Sequence, residues 1–184
     1  MDNLTEYLIS KKLSSKEKTV RASLWLIAFL LVATLAFLLL TIYTFLVFAI
    51  PFIVILVFYF VRNIDKMFTI EFEYVLTNQF FDADRIISKS DRSNIVSFSI
   101  TAVDSIGRYE KGLQVGTNCK NKYSVYSSPD SPELWYVTFD DEDKGRTLLV
   151  FEPNQKMLQH MKQYISPRVS GNVLREIGAA VEDN

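Results

Sequence analysis

Asp140-Asp141-Glu142-Asp143 sets four carboxylates in succession, and clustered oxygens are what a hard divalent cation takes. The spacing is not that of a calcium loop, and Lys144 and Arg146 follow at once. A solvated hairpin tip is therefore preferred to a weak cation site. Asp82, Asp84 and Asp104 are the carboxylates on which acid–base chemistry would have to rely. His160, the single histidine, falls at the edge of an apolar helical face, and Cys119, the single cysteine, has only Lys120 and Lys122 as basic neighbours. One Cys and one His exclude a zinc site built from those ligands, and no GxGxxG, P-loop or GxSxG occurs. No catalytic, cofactor-binding or metal-binding residue is assigned, and the expectation is a protein that is not an enzyme.

Recognition is a better prospect than catalysis. In Ser127-Ser128-Pro129-Asp130-Ser131-Pro132-Glu133-Leu134-Trp135-Tyr136, an exposed Trp135 beside Tyr136 would anchor a partner, because large aromatics dominate interface energy. The preferred reading is that Trp135 starts a core strand whose register the Pro-rich turn sets.

Whatever does this work must be held by the elements around it, and those divide sharply. Of 184 residues, 49% are hydrophobic, but Ala22–Val61 is a run of 40 without one Asp, Glu, Lys or Arg. A hydrocarbon core of about 30 Å needs about 20 helical residues. The run therefore predicts a transmembrane helical hairpin over residues 22–62, with helices at about 22–41 and 44–62 that turn near Thr41–Thr44. Pro51 is a candidate kink in the second. Ser14 and Glu17 have capping-box spacing. Lys11, Lys12, Lys16, Lys18 and Arg21 precede the run, Arg62 and Lys66 follow it, and the connecting turn is uncharged. The positive-inside rule then places both termini in the cytoplasm of a multi-pass cell-membrane protein. Residues 1–21 read as a basic cytoplasmic segment, in which Leu4, Tyr7 and Leu8 share a helical face; a surface-lying helix and a frayed tail are both open.

Residues 68–184 carry 13 Lys+Arg against 17 Asp+Glu, which argues against binding nucleic acid. Phe68–Leu76 alternates strictly, apolar against polar, and predicts a half-buried strand. Further strands are expected at Phe80–Ser88, Ile95–Ile100, Val103–Tyr109, Tyr123–Tyr126, Leu134–Phe139 and Thr147–Phe151. Turns are expected at Thr77–Asn78, Ser90–Ser93 and Asp140–Gly145, and a loop at Glu110–Lys122. Met157, Leu158, Met161, Tyr164 and Ile165 then form one face of a helix that starts at Pro153 and ends at Ser166–Pro167. Residues 167–184 read as a tail, with a short helix or disorder over Val173–Val181.

Seven strands closed by an amphipathic helix resemble the pleckstrin-homology-like fold, a bent antiparallel β-barrel plugged at one end by its C-terminal helix. Tyr74-Val75-Leu76-Thr77-Asn78, Ser127-Ser128-Pro129-Asp130, Leu134-Trp135-Tyr136 and Gly145-Arg146-Thr147-Leu148-Leu149-Val150-Phe151-Glu152-Pro153-Asn154 resemble a family of small bacterial two-span membrane proteins with such a domain and no assigned activity. The resemblance implies an α+β membrane protein with a pleckstrin-homology-like domain over residues 68–166. Eukaryotic pleckstrin-homology domains that bind phosphoinositides hold the phosphates with basic residues around the first hairpin loop. The corresponding Thr77-Asn78-Gln79 has none, and Asp82 and Asp84 follow. The leading expectation is a non-enzymatic, membrane-anchored cytoplasmic interaction domain, with the bilayer held through residues 22–62 and a membrane or cytoplasmic protein as partner. The alternative is a lipid or small-ligand sensor built on the β-barrel. A homo-oligomer is compatible with the hairpin, although no GxxxG pair supports one.

Overall fold

The computed structural model describes residues 4–42, 48–110, 115, 118–141, 143–166 and 169. Residues 43–47 of the expected membrane turn, Glu142 of the acidic turn and the expected tail helix lie outside the described residues. The chain divides into two compact units, residues 12–69 and residues 1–11 together with 70–184.

The first unit holds α1 (Ser15–Ile42) and α2 (Ile50–Lys66). Glu17 accepts a hydrogen bond from the Ser14 amide at 2.8 Å, the reciprocal half of the capping box. Pro51 lies in the first turn of α2, where its missing N–H leaves no helical bond unmade; it starts the helix and does not kink it. Trp25 packs on Phe58 with ring centroids 5.8 Å apart, and Arg21 grips Asp65. Val61 is buried, and most of the other apolar side chains lie open, with Phe29 71%, Phe52 75% and Ile55 66% exposed.

The second unit begins where the sequence predicted only a basic segment. Leu4–Ser10 is a strand, β1, neither a surface helix nor a frayed tail. It pairs antiparallel with β2 (Ile70–Thr77), from Leu4 opposite Thr77 to Ser10 opposite Glu71. The Lys11 amide extends the pairing to the Ile70 carbonyl at 2.9 Å. The domain boundary at residue 68 is therefore corrected: its first strand precedes both helices. β3 (Phe80–Ile87) and β4 (Asp91–Ser99) complete a sheet of order β1-β2-β3-β4. The β3–β4 turn falls at Ser88–Ser90, with Ser88 and Lys89 at positive φ; it meets the expected Ser90–Ser93 only at Ser90, because Asp91–Ser93 already pair with β3.

A 3-10 turn (Ile100–Ala102) leads into the second sheet, β5 (Val103–Arg108), β6 (Asn121–Val125), β7 (Trp135–Asp141) and β8 (Gly145–Phe151), ordered β5-β7-β8-β6. β6 runs parallel to β8, so the sheet is mixed where an all-antiparallel one was expected, and the described residues hold eight strands where about seven were counted. α3 (Gln155–Lys162) follows, its first turn capped by Asn154, whose side chain accepts from the Met157 amide.

Inward residues at alternate strand positions build one core between the sheets. Phe98 on β4 stacks on Phe139 on β7, with centroids 4.2 Å apart and planes 14° off parallel. Phe81 meets Phe151 edge-on at 5.4 Å. The Tyr74 hydroxyl donates to the Val125 carbonyl and accepts from the Glu152 amide at 3.3 Å; burial pushes its pKa up, so it stays a neutral tie between the sheets. Met157, Leu158 and Met161 of α3 close this core. A smaller cluster, Leu134, Leu148 and Val150, covers the outer side of β7 and β8.

Candidate functional site

Trp135 is 2% exposed, in the core, with Arg108 over its ring at 5.8 Å. The exposed anchor that the Pro-rich segment suggested is therefore corrected, for β7 starts at Trp135 and turns its ring inward. Tyr136 is half-buried, paired with Gly107 and packed against the smaller cluster. The preceding loop is pinned by Glu152, which accepts from the Ser127 amide at 3.0 Å and the Ser131 hydroxyl at 2.7 Å.

The other candidates are dispersed. Asp82 and Asp84 occupy the outer face of the first sheet, and Asp84 is held by Arg92 and Asn94 at 2.7 and 2.8 Å. Asp104 lies 3.8 Å from Arg146. Asp141 turns its carboxylate back to the amides of Asp143 and Lys144, at 3.0 Å each, so it closes its own hairpin. Among the described residues no group of three metal-ligating side chains forms. Cys119 packs against the smaller cluster.

His160 is 5% exposed, its Nδ1 2.9 Å from the Thr5 hydroxyl. It ties α3 to the strand that precedes the helices. Burial holds its pKa below the ordinary value, with the Asn78 backbone acting in the opposite sense. The unfolded chain thus takes up a proton before the folded one, and stability present above the ordinary histidine range is lost as pH falls through it. Melting temperature is expected to drop between about pH 7 and pH 5, and His160→Asn to flatten that drop. An equal slope in the variant would assign the effect elsewhere.

A cleft of about 700 Å³ lies between the edge strands β4 and β6. Its basic residues are Lys11, Arg85 and Lys122, and its apolar wall includes Phe72, Ile95 and Tyr123. The pairing sets Arg85 in one row with Phe72 and Ser93, on the same face as buried Phe81 and Ala83. Alternation along Phe81-Ala83-Arg85 carried that signal. The sequence reasoning missed it, having looked for basic residues only around Thr77-Asn78-Gln79, at the opposite end of the sheet.

Two sheets, a closing C-terminal helix and this inventory of scattered carboxylates are the setting for the comparison with known families. The family model described as a bacterial PH-like domain, DUF6106, matches residues 1–170. The chain belongs to this family. The match takes in the strand before the helices as well as everything up to α3, so the PH-like domain and the intervening helices are matched together. No curated protein and no solved structure matches the chain.

Proposed function

We propose that this PH-like protein is a membrane-anchored, non-enzymatic interaction module, with α1 and α2 both crossing the bilayer and both termini in the cytoplasm. The observation that carries the reading is the pairing of β1 with β2 across the two helices. A chain that crosses once through α1 must return before Ile70, because Leu4–Ser10 and Ile70–Thr77 are neighbours in one sheet. α2 is the apolar element available for the return.

The helices suit the role. The most apolar 18 residues of Ser15–Thr41 have mean hydropathy 2.7 and none of them is buried, which supports a membrane place for the helix over a soluble core. α2 has 17 residues, about 25 Å of helix and at the short end of the spanning range. The basic residues flank the helices at Lys16, Lys18 and Arg21 and at Arg62 and Lys66, which supports the cytoplasmic orientation. On the domain, Leu4, Leu8 and Phe80 stand 57%, 51% and 55% exposed on the outer face of the first sheet, which favours contact with a protein partner.

Single-cysteine labelling in intact cells tests the topology, in a Cys119→Ala background. Thr41→Cys is expected to react with an impermeant maleimide from outside. Ser14→Cys and Ser90→Cys are expected to react only after permeabilisation. Opposite sidedness for Ser14 and Ser90 would refute the even number of crossings.

A further inference from the structure

We propose that β1 pairs edge to edge with β1 of a second copy of this chain, antiparallel about a two-fold axis at Leu8, so that two four-stranded sheets join into one of eight. The proposal names the partner of the interaction module and rests on the membrane-anchored reading above.

The open side of β1 carries the argument. The Lys11 amide bonds to the Ile70 carbonyl, and with Ser10 opposite Glu71 this sets the phase of the ladder. Thr5, Tyr7 and Ile9 exchange bonds with β2, while Leu4, Glu6, Leu8 and Ser10 turn their N–H and C=O groups to the other side. Among the described residues no other backbone bond reaches that side. Natural sheets blunt such edges with short strands, bulges, lysine or proline. β5 and β6 have six and five residues, with a register shift in the β5 ladder and Lys122 in β6. β4 opens on Asp91 and Arg92, and its ladder shifts register at Ala83/Asp84. β1 has none of these devices: it is seven residues in unbroken register, without Lys or Pro, and its one charge is Glu6. Of the three large apolar side chains exposed on strands among the described residues, two are its Leu4 and Leu8.

The strand is complementary to itself in one direction. Lys11 and Lys12 follow it at one end, and Glu6 lies toward the other, so antiparallel pairing brings opposite charges together where parallel pairing would align like with like. The outward phase lets only even-numbered positions bond to even-numbered positions, which narrows the register. An axis at Glu6 sets two carboxylates directly opposite each other, an unfavourable pair. An axis at Tyr7 sets each Leu8 against a Glu6 carboxylate. With the axis at Leu8, the partner's Leu8 lies opposite Leu8 and the partner's Ser10 opposite Glu6, so apolar meets apolar and polar meets polar. Ser10 then lies four strand residues from the partner's Ser10, about 14 Å, close enough for two anchored chains to meet within one membrane. Confinement to that plane raises the concentration of each copy for the other.

The full chain is tested in native membranes, in the Cys119→Ala background. A short bismaleimide is expected to join Leu8→Cys into a product of twice the chain mass. It is expected to leave Asp82→Cys, on the outer face of β3, and Ser97→Cys, on the edge strand β4, as single chains. No product at Leu8, an equal product at Asp82 or Ser97, or a product joined to a different protein overturns the second copy at this edge. Two differently tagged copies of Leu8→Lys, or of Leu8→Glu, solubilised in a neutral detergent, are expected to co-purify several-fold less than the wild type, because like charges meet on the axis. Leu8→Lys co-expressed with Leu8→Glu is expected to recover the wild-type level. Undiminished co-purification of either variant with itself, or no recovery in the mixed pair, overturns the proposal. Leu8 is 51% exposed, so both variants are expected to melt as the wild type does; should either melt low, the Leu8→Cys cross-link decides in their place. Carbonate extraction separates the two readings: release of the wild-type chain would sink the anchoring itself, whereas retention without a Leu8 cross-link rejects the β1 interface alone.

Discussion

Replacing Trp135 with alanine is expected to cost the fold about 3–5 kcal/mol, the range for emptying a large aromatic site in a packed core. The ring is 2% exposed, begins a central strand of the second sheet, and pairs with Arg108 on one side and Phe151 on the other. Domains of this kind are stable by about 5–15 kcal/mol, so the variant sits at the edge of unfolding. Pulse proteolysis in urea, on the full chain in micelles, measures the loss without depending on the tryptophan signal. Phe80→Ala, at a position 55% exposed, is the control and should stay within about 0.5 kcal/mol of the wild type. Unchanged stability in Trp135→Ala, combined with loss of a bound protein, would return Trp135 to the interface role.

The second large effect concerns the strand that precedes the helices. A fragment that starts at Phe68 lacks β1, so it leaves Tyr74 and Phe72 beside an open edge and removes Tyr7, whose ring lies 6.1 Å from that of Tyr74. It also removes Ile9 from the core and Thr5 from His160. That fragment is expected to aggregate, as sheets with an uncovered apolar edge do. Joining Lys11 to Ile70 through a short Asn-Gly-containing turn, with residues 12–69 omitted, should instead yield a soluble domain. Two antiparallel strands already in register need only a tight connection, and residues 1–11 with 70–184 form one compact unit. Cooperative thermal unfolding of the joined chain, against its absence in the Phe68 fragment, is the measurement. Equal behaviour of the two would mean that β1 adds nothing.

These expectations also show which parts of the architecture local pattern could reveal. The strand at Ile70–Thr77 was legible because Phe72, Tyr74 and Leu76 alternate with polar residues over a sheet with one buried face. α3 was legible from its 3.6-residue periodicity. β1 was not: Leu4 and Leu8 are apolar on its outer face while Tyr7 and Ile9 are apolar on its inner face, so neither period stands out, and its partner lies beyond both helices. The β3–β4 turn was misplaced because Ser88 and Lys89 adopt positive φ without a glycine to mark it. The parallel pairing of β6 with β8 is a non-local choice that no window of residues encodes. At the cleft, Arg85 was readable in alternation with Phe81 and Ala83, but Lys11 and Lys122 join it only through tertiary packing.

The seven registered pairs between β1 and β2 run from Ser10–Glu71 to Leu4–Thr77, and both helices attach at the Ser10–Glu71 end. Tension that draws α1 and α2 apart therefore loads the ladder from one end. Because the interstrand bonds lie perpendicular to the strands, such a pull opens them one after another, like a zipper, and never shears the whole row at once. The joint between the helices and the sheet is thus mechanically soft in that one direction. The last pairs to part are those near Thr5, where His160 holds the far end closed.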